Sequence, residues 1–99
     1  MKNSNSTNLK NSLEILGSKW TLRIVQELME SNKRFNEIQR DCEVCPRTLS
    51  TRLDELEKIG IITKKVYSQT PPKVEYSLTT KGKSLSSVIN AIADWAKTN

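Results

Sequence analysis

Apolar residues recur along the chain in blocks of helical period, interrupted once by a block that alternates. Leu9, Leu13 and Leu16 stand at i, i+4 and i+7 and predict a short amphipathic helix ending at Gly17. From Lys19 to Glu30, Trp20, Leu22, Ile24, Val25, Leu28 and Met29 occupy more than one stripe. That pattern predicts a central helix, with Trp20 and Met29 in the core. Asn36 followed by Gln39 imitates a capping box and opens a helix with Phe35, Ile38 and Cys42 on one face. Glu43, Val44 and Cys45 then make a three-residue turn. Pro46 starts a further helix at the position where a missing N–H costs nothing. Leu49, Leu53, Leu56 and Ile59 form its buried stripe, and Gly60 caps it.

After Gly60 the period changes. ITKKVY and KVEYSL are β-branched and aromatic runs separated by SQTPP, which predicts a hairpin. Val74, Tyr76 and Leu78 alternate with Glu75 and Ser77, so one face is buried and the other wet. Thr79 and Thr80 offer an N-cap for a last helix carrying Leu85, Val88, Ile89, Ile92 and Trp95. The expected fold is mainly α with a small β-hairpin, a winged helix-turn-helix with terminal dimerisation helices. One domain spans 1–99, with residues 1–8 disordered, the helix-turn-helix at 36–59, the wing hairpin at 61–78 and the C-terminal dimerisation helix at 80–97. Leu9, Leu13, Leu85, Val88, Ile89, Ile92 and Trp95 are the expected dimer contacts, because a core this small need not absorb so long an apolar stripe at the chain end.

Charge points to a partner. The chain carries a net +5, and Lys58, Lys64, Lys65, Lys73, Lys81 and Lys83 against Glu75 alone account for that whole surplus between residues 58 and 83. A local basic excess is the footprint of a polyanion partner, while a lysine-rich solvated face is the bland alternative. The helix from Pro46 is more telling. Arg47 and Arg52 lie toward its start and Asp54, Glu55 and Glu57 toward its end, the reverse of the order that complements a helix dipole. Opposite Leu49 and Leu53 lie Arg47, Ser50, Thr51 and Asp54, with Thr48 and Glu55 at the flank. In a helix-turn-helix the leading turns of the second helix enter the DNA major groove. Arg suits guanine edges or phosphates, and short hydroxyls suit either. The candidate DNA-binding residues are therefore Arg47, Thr48, Ser50, Thr51 and Arg52, with Lys64, Lys65 and Lys73 from the wing. Arg52 lies nearer the buried stripe, where a flanking phosphate and an internal ion pair compete for it.

Other chemistry has few parts to work with. The chain contains no histidine, so the commonest general base and zinc ligand are missing. Its three glycines form no phosphate-binding loop. No enzyme, cofactor or metal is expected. Cys42 and Cys45 form a CxxC at a helix start, which supplies half a zinc site at most but can lower a thiol pKa. Cys45 and, less so, Cys42 are the redox candidates, layered on nucleic-acid binding. No apolar run matches a secretory signal or a membrane span, and a cytoplasmic protein without a membrane partner is expected. An RNA- or protein-binding winged helix is the competing class.

The runs LGSKWTLRIVQEL, RFNEIQRD, PRTLSTRLDELEKIGII and VYSQTPPKVEYSLTTKGKSL resemble the HxlR-type family of bacterial transcription regulators, relatives of the MarR-like winged helices. The resemblance implies a homodimer paired through terminal helices on a pseudo-palindromic operator in double-stranded DNA. By matching position it makes the helix from Pro46 the recognition helix and Lys65 to Val74 the wing. Many members carry a cysteine before the GxKW segment that in some senses oxidants or electrophiles, whereas this chain has NSTNLKNS there. Cys45 instead stands where the family more often has a small polar residue.

Overall fold

The computed structural model describes residues 2–99, with side chains from Asn8 onward. The elements are α1 (Lys2–Leu16), α2 (Thr21–Glu30), α3 (Phe35–Cys42), α4 (Pro46–Lys58), β1 (Ile62–Tyr67), β2 (Lys73–Leu78), α5 (Thr80–Lys83) and α6 (Ser86–Thr98). The disorder expected over residues 1–8 concerns Met1 and side chains that lie outside the described residues, while the backbone of α1 begins at Lys2. Ile24, Val25 and Leu28 of α2 meet Ile38 of α3, Leu49, Leu53 and Leu56 of α4, and Ile62 and Leu78 of the hairpin in one core.

Two local devices set the helix-turn-helix. Glu43 closes α3 in the left-handed region at φ 54°, and Pro46 opens α4 at the first helical position. At the other end of α4, Gly60 adopts φ 81°. The Gly60 N–H reaches the Glu57 carbonyl at 3.1 Å and the Ile61 N–H reaches Leu56 at 2.9 Å, the paired bonds of a Schellman stop, with Ile61 packed into the core beside Leu56.

Several expectations need correction. The helix is capped at Arg34 rather than Asn36, and only the carboxylate half of a capping box forms: the Arg34 N–H donates to the Glu37 carboxylate at 2.8 Å, while an arginine side chain offers no acceptor in return. The cause is sheet pairing just upstream. Lys33 exchanges backbone hydrogen bonds with Tyr76, at 3.0 and 2.8 Å, so the chain leaves the hairpin at Lys33 and turns directly into α3, taking Phe35 onto the core. Trp20 is half-buried and precedes α2 as its cap residue at φ 79°, a backbone rarely adopted by a bulky residue. Met29 is 37% exposed, since it lies off the face formed by Ile24, Val25 and Leu28.

The last helix is two helices. The Thr79 hydroxyl accepts the Gly82 N–H at 3.0 Å, and a Cβ on Gly82 would stand 2.1 Å from the Ile61 carbonyl oxygen. That close approach holds α5 against the start of the hairpin. A three-residue bond from the Leu85 N–H to the Gly82 carbonyl, 3.0 Å, tightens the chain before α6. The apolar stripe of α6 divides accordingly. Leu85 and Ile89 pack half-buried on the protein's own core and Val88 is half-buried, whereas Ile92 and Trp95 are 48% and 65% exposed. Leu9 and Leu13 of α1 are exposed to the same degree.

Buried charge ties these pieces together. Lys33 Nζ donates to Glu27 Oε1 at 2.6 Å, Glu30 Oε1 at 3.2 Å and Asp41 Oδ2 at 3.3 Å. Arg23 pairs with the second Glu27 oxygen and donates to the Asp41 backbone carbonyl at 3.0 Å. Burial alone would raise the Glu27 carboxyl, but the hydrogen bonds from Lys33 and Arg23 outweigh it and hold the group low. The same opposition, with Lys33 and Arg40 as donors, holds Asp41 low. Lys33 is raised by its bond to Glu27 against the effect of burial. Lys33→Ala, which leaves Glu27 buried with one partner fewer, should cost roughly 3–5 kcal/mol in denaturant unfolding. The two lowered carboxyls contribute stability above their unfolded pKa values, near 4. They lose it as pH falls through the folded values. Acid destabilisation below about pH 4 should therefore be shallower in Lys33→Ala than in the parent, and equal acid slopes would refute the assignment.

Candidate nucleic-acid interface

Helix α4 is amphipathic in fact as in pattern. Leu49, Leu53 and Leu56 are 0–2% exposed, which turns Arg47, Ser50, Thr51 and Asp54 to solvent. Arg47 has no carboxylate partner among the described residues. Thr51 donates its hydroxyl proton to the Arg47 carbonyl at 3.1 Å. What it can still offer a ligand is an acceptor. Thr48 is half-buried, with its hydroxyl 3.1 Å from Cys45 Sγ. The leading turn thus presents a cation, a free hydroxyl and an acceptor side by side.

Arg52 is engaged elsewhere. Its Nε donates to the Lys19 carbonyl at 3.0 Å and its Nη1 to Glu55 at 2.7 Å. Of the two uses open to it, the internal ion pair is the one formed, and it ties α4 to the turn between α1 and α2.

In the hairpin, strand register decides which lysines act together. Ile62 faces Leu78, Lys64 faces Tyr76 and Val66 faces Val74, while Thr63, Lys65 and Tyr67 face Ser77, Glu75 and Lys73. Because successive side chains alternate, Lys64 lies on the opposite face from Lys65 and Lys73. Lys65 and Lys73 each place Nζ 4.9 Å from the centre of the Tyr67 ring, and Lys73 pairs with Glu75 at 3.4 Å. Lys81 donates to the Ile59 carbonyl at 2.9 Å and so serves the C-terminus of α4. Lys58, Lys64, Lys65 and Lys83 are exposed and lack a carboxylate partner among the described residues.

The two thiols differ in setting. Cys45, the cap residue of α4, is exposed. Hydrogen bonds from the Thr48 side chain and backbone, and then from the Arg47 backbone, lower its pKa. Cys42 is buried, and desolvation pushes its thiol up.

Sequence reasoning did not pick out Tyr67 or the Lys33 cluster, and it counted Lys81 in the basic surplus without its role at the end of α4. The two-residue step from Lys65 to Tyr67 and the four-residue step from Arg23 to Glu27 were the available signals.

A tight helix pair with an exposed basic leading turn, followed by a two-stranded wing, defines a winged helix-turn-helix regulator of transcription. The chain belongs to the HxlR-like helix-turn-helix family, whose pattern matches residues 15–99. The HTH-type transcriptional regulator YybR of Bacillus subtilis is 39% identical over 89 residues, covering 89% of this chain and 71% of YybR. YdeP of the same organism is 41% identical over 90 residues, covering 90% of this chain and 70% of YdeP. Among solved structures, the reduced form of the regulator YodB from B. subtilis superposes with a TM-score of 0.84 at 36% identity, over 90% of this chain and 88% of that one. The oxidised form of the redox regulator HypR does so with 0.85 at 38% identity, over 93% and 96%. These relatives are transcription regulators and not enzymes. Among the described residues no helix is long and apolar enough to cross a membrane.

Proposed function

We propose that this protein is a cytoplasmic homodimer that binds a pseudo-palindromic operator in duplex DNA through α4 and the wing. The observation that carries the reading is the leading turn of α4, where Arg47, Ser50 and Thr51 are exposed while the opposite face is locked into the core. Arg47 and the hydroxyls address base edges, and Lys64 and Lys65 address phosphates. On a duplex selected from a random library, about 6 to 10 phosphate contacts per dimer should cost roughly 10³- to 10⁵-fold in affinity between 50 and 200 mM salt. Arg47→Ala should relax sequence preference, and Lys65→Ala should weaken every sequence alike. A flat salt response with equal affinity for all duplexes would end this reading.

The dimer rests on what the single chain leaves uncovered. Leu9, Leu13, Ile92 and Trp95 are each 48–65% exposed, and the radius of gyration is 14.9 Å where a compact domain of this length has about 13 Å. Apolar ends that project from the body are suited to a second copy of themselves. Leu85 and Ile89 are already seated on their own core and Val88 is half-buried, so Ile92, Trp95, Leu9 and Leu13 would carry the interface. Sedimentation equilibrium at micromolar concentration should give a dimer that Ile92→Glu converts to monomer. A parent that is already monomeric rejects it.

A thiol layer has separate support. The neighbours include regulators solved in reduced, oxidised and quinone-bound forms, and here the exposed, lowered thiol is Cys45 at the start of α4. A group added to it would crowd the α4 start and disturb Thr48. Peroxide or diamide should weaken operator affinity in the parent and leave Cys45→Ser unaffected. If both respond alike, or neither does, Cys45 is filler at a cap position.

A further inference from the structure

On the wing face shared by Lys65, Tyr67, Lys73 and Glu75, one carboxylate stands among two ammonium groups. Glu75 is the direct cross-strand partner of Lys65, the placement in which opposite charges ordinarily pair, with Cβ atoms about 5 Å apart. That pair is not formed. Glu75 Oε1 accepts the Tyr67 hydroxyl at 3.1 Å and Glu75 Oε2 takes Lys73 Nζ at 3.4 Å. Each carboxylate oxygen is thereby held by a partner other than Lys65, and the side chain is only 19% exposed. Lys65 Nζ lies instead over the Tyr67 ring, 4.9 Å from its centre.

Resting on the DNA-binding reading above, we infer that Tyr67 is a positioning residue for Lys65. Its hydroxyl holds Glu75 away from Lys65, and its ring steadies the ammonium in a pose open to a phosphate of the nucleic-acid backbone. Neither action removes the cation's charge, because a ring quadrupole attracts an ammonium without neutralising it. A carboxylate would. Without the hydroxyl that orients it, the Glu75 carboxylate turns toward its cross-strand neighbour, and Lys65 enters an internal ion pair where it releases no counterion on binding.

The test is a four-protein cycle of parent, Tyr67→Phe, Glu75→Gln and the double variant, with log affinity for one duplex measured against log salt. Tyr67→Phe keeps the ring and the hairpin packing, and circular dichroism checks the fold. It should flatten the slope by about 0.9 per wing, the share of one phosphate contact. In the Glu75→Gln background the same substitution should change nothing, because the group that would capture Lys65 is gone. A Tyr67→Phe slope equal to the parent's overturns the inference. So does equal flattening in both backgrounds, since the hydroxyl would then act on the DNA directly. A parent with no salt dependence would instead refute the DNA-binding reading, so the two failures are distinguishable.

Discussion

The ammonium of Lys33 is shared between Glu27 of α2 at 2.6 Å and Asp41 of α3 at 3.3 Å, and the same residue exchanges two backbone hydrogen bonds with Tyr76 of β2. Two consecutive helices and a strand far along the chain therefore meet at one residue. Such an arrangement is costly to desolvate and costly to break, so its worth lies less in net stability than in fixing which helix faces meet. A core of Ile, Leu and Val tolerates sliding. A buried ammonium with three carboxylate partners tolerates very little, because each partner must keep its distance and angle.

From that fixed point the orientation of the interface follows. Arg23 extends the network to the Asp41 carbonyl near the end of α3, directly before the turn that leads into α4. The Tyr76 pairing seats the hairpin on the same junction, so α4 and the hairpin are referenced to one site. Arg52 adds a second tether, from α4 to the Lys19 carbonyl in the turn after α1. The turn after α1 and helix α4 are thus linked through a hydrogen bond, a route by which pairing of α1 would bear on the pose of α4.

The elements that were legible from the residues are those whose cause is local. The Leu49–Leu53–Leu56 stripe, Pro46 at the start of α4 and Gly60 past its end each act through neighbours within a turn, and the structure has them in those roles. The hairpin was legible for the same reason, its strands falling at Ile62–Tyr67 and Lys73–Leu78. What pattern could not supply was decided across the fold. The cap of α3 moved to Arg34 because Lys33 pairs with Tyr76, far along the chain. The last helix broke because Gly82 packs on Ile61. Arg52 lay between two uses until Lys19 came within reach, and Lys64 and Lys65 parted only once strand register was known.

The reversed charge order of α4 can be understood in the same terms. A helix with Arg47 at its positive end and acids at its negative end is poorly matched to its own dipole. Its C-terminal carbonyls at Leu56, Glu57 and Ile59 are nevertheless bonded, by the Schellman bonds from Ile61 and Gly60 and by Lys81. Arg52 offsets Glu55 along the shaft. Those provisions compensate the acidic end, while nothing among the described residues compensates Arg47. The basic surplus between residues 58 and 83 is divided in the same way: Lys73 is matched by Glu75 and Lys81 by a backbone carbonyl, while Lys58, Lys64, Lys65 and Lys83 on the hairpin and its flanks have no carboxylate partner among the described residues. Unmatched positive potential raises the self-energy of the free protein and is relieved by a polyanion, which makes an anionic partner part of the electrostatic logic of this fold.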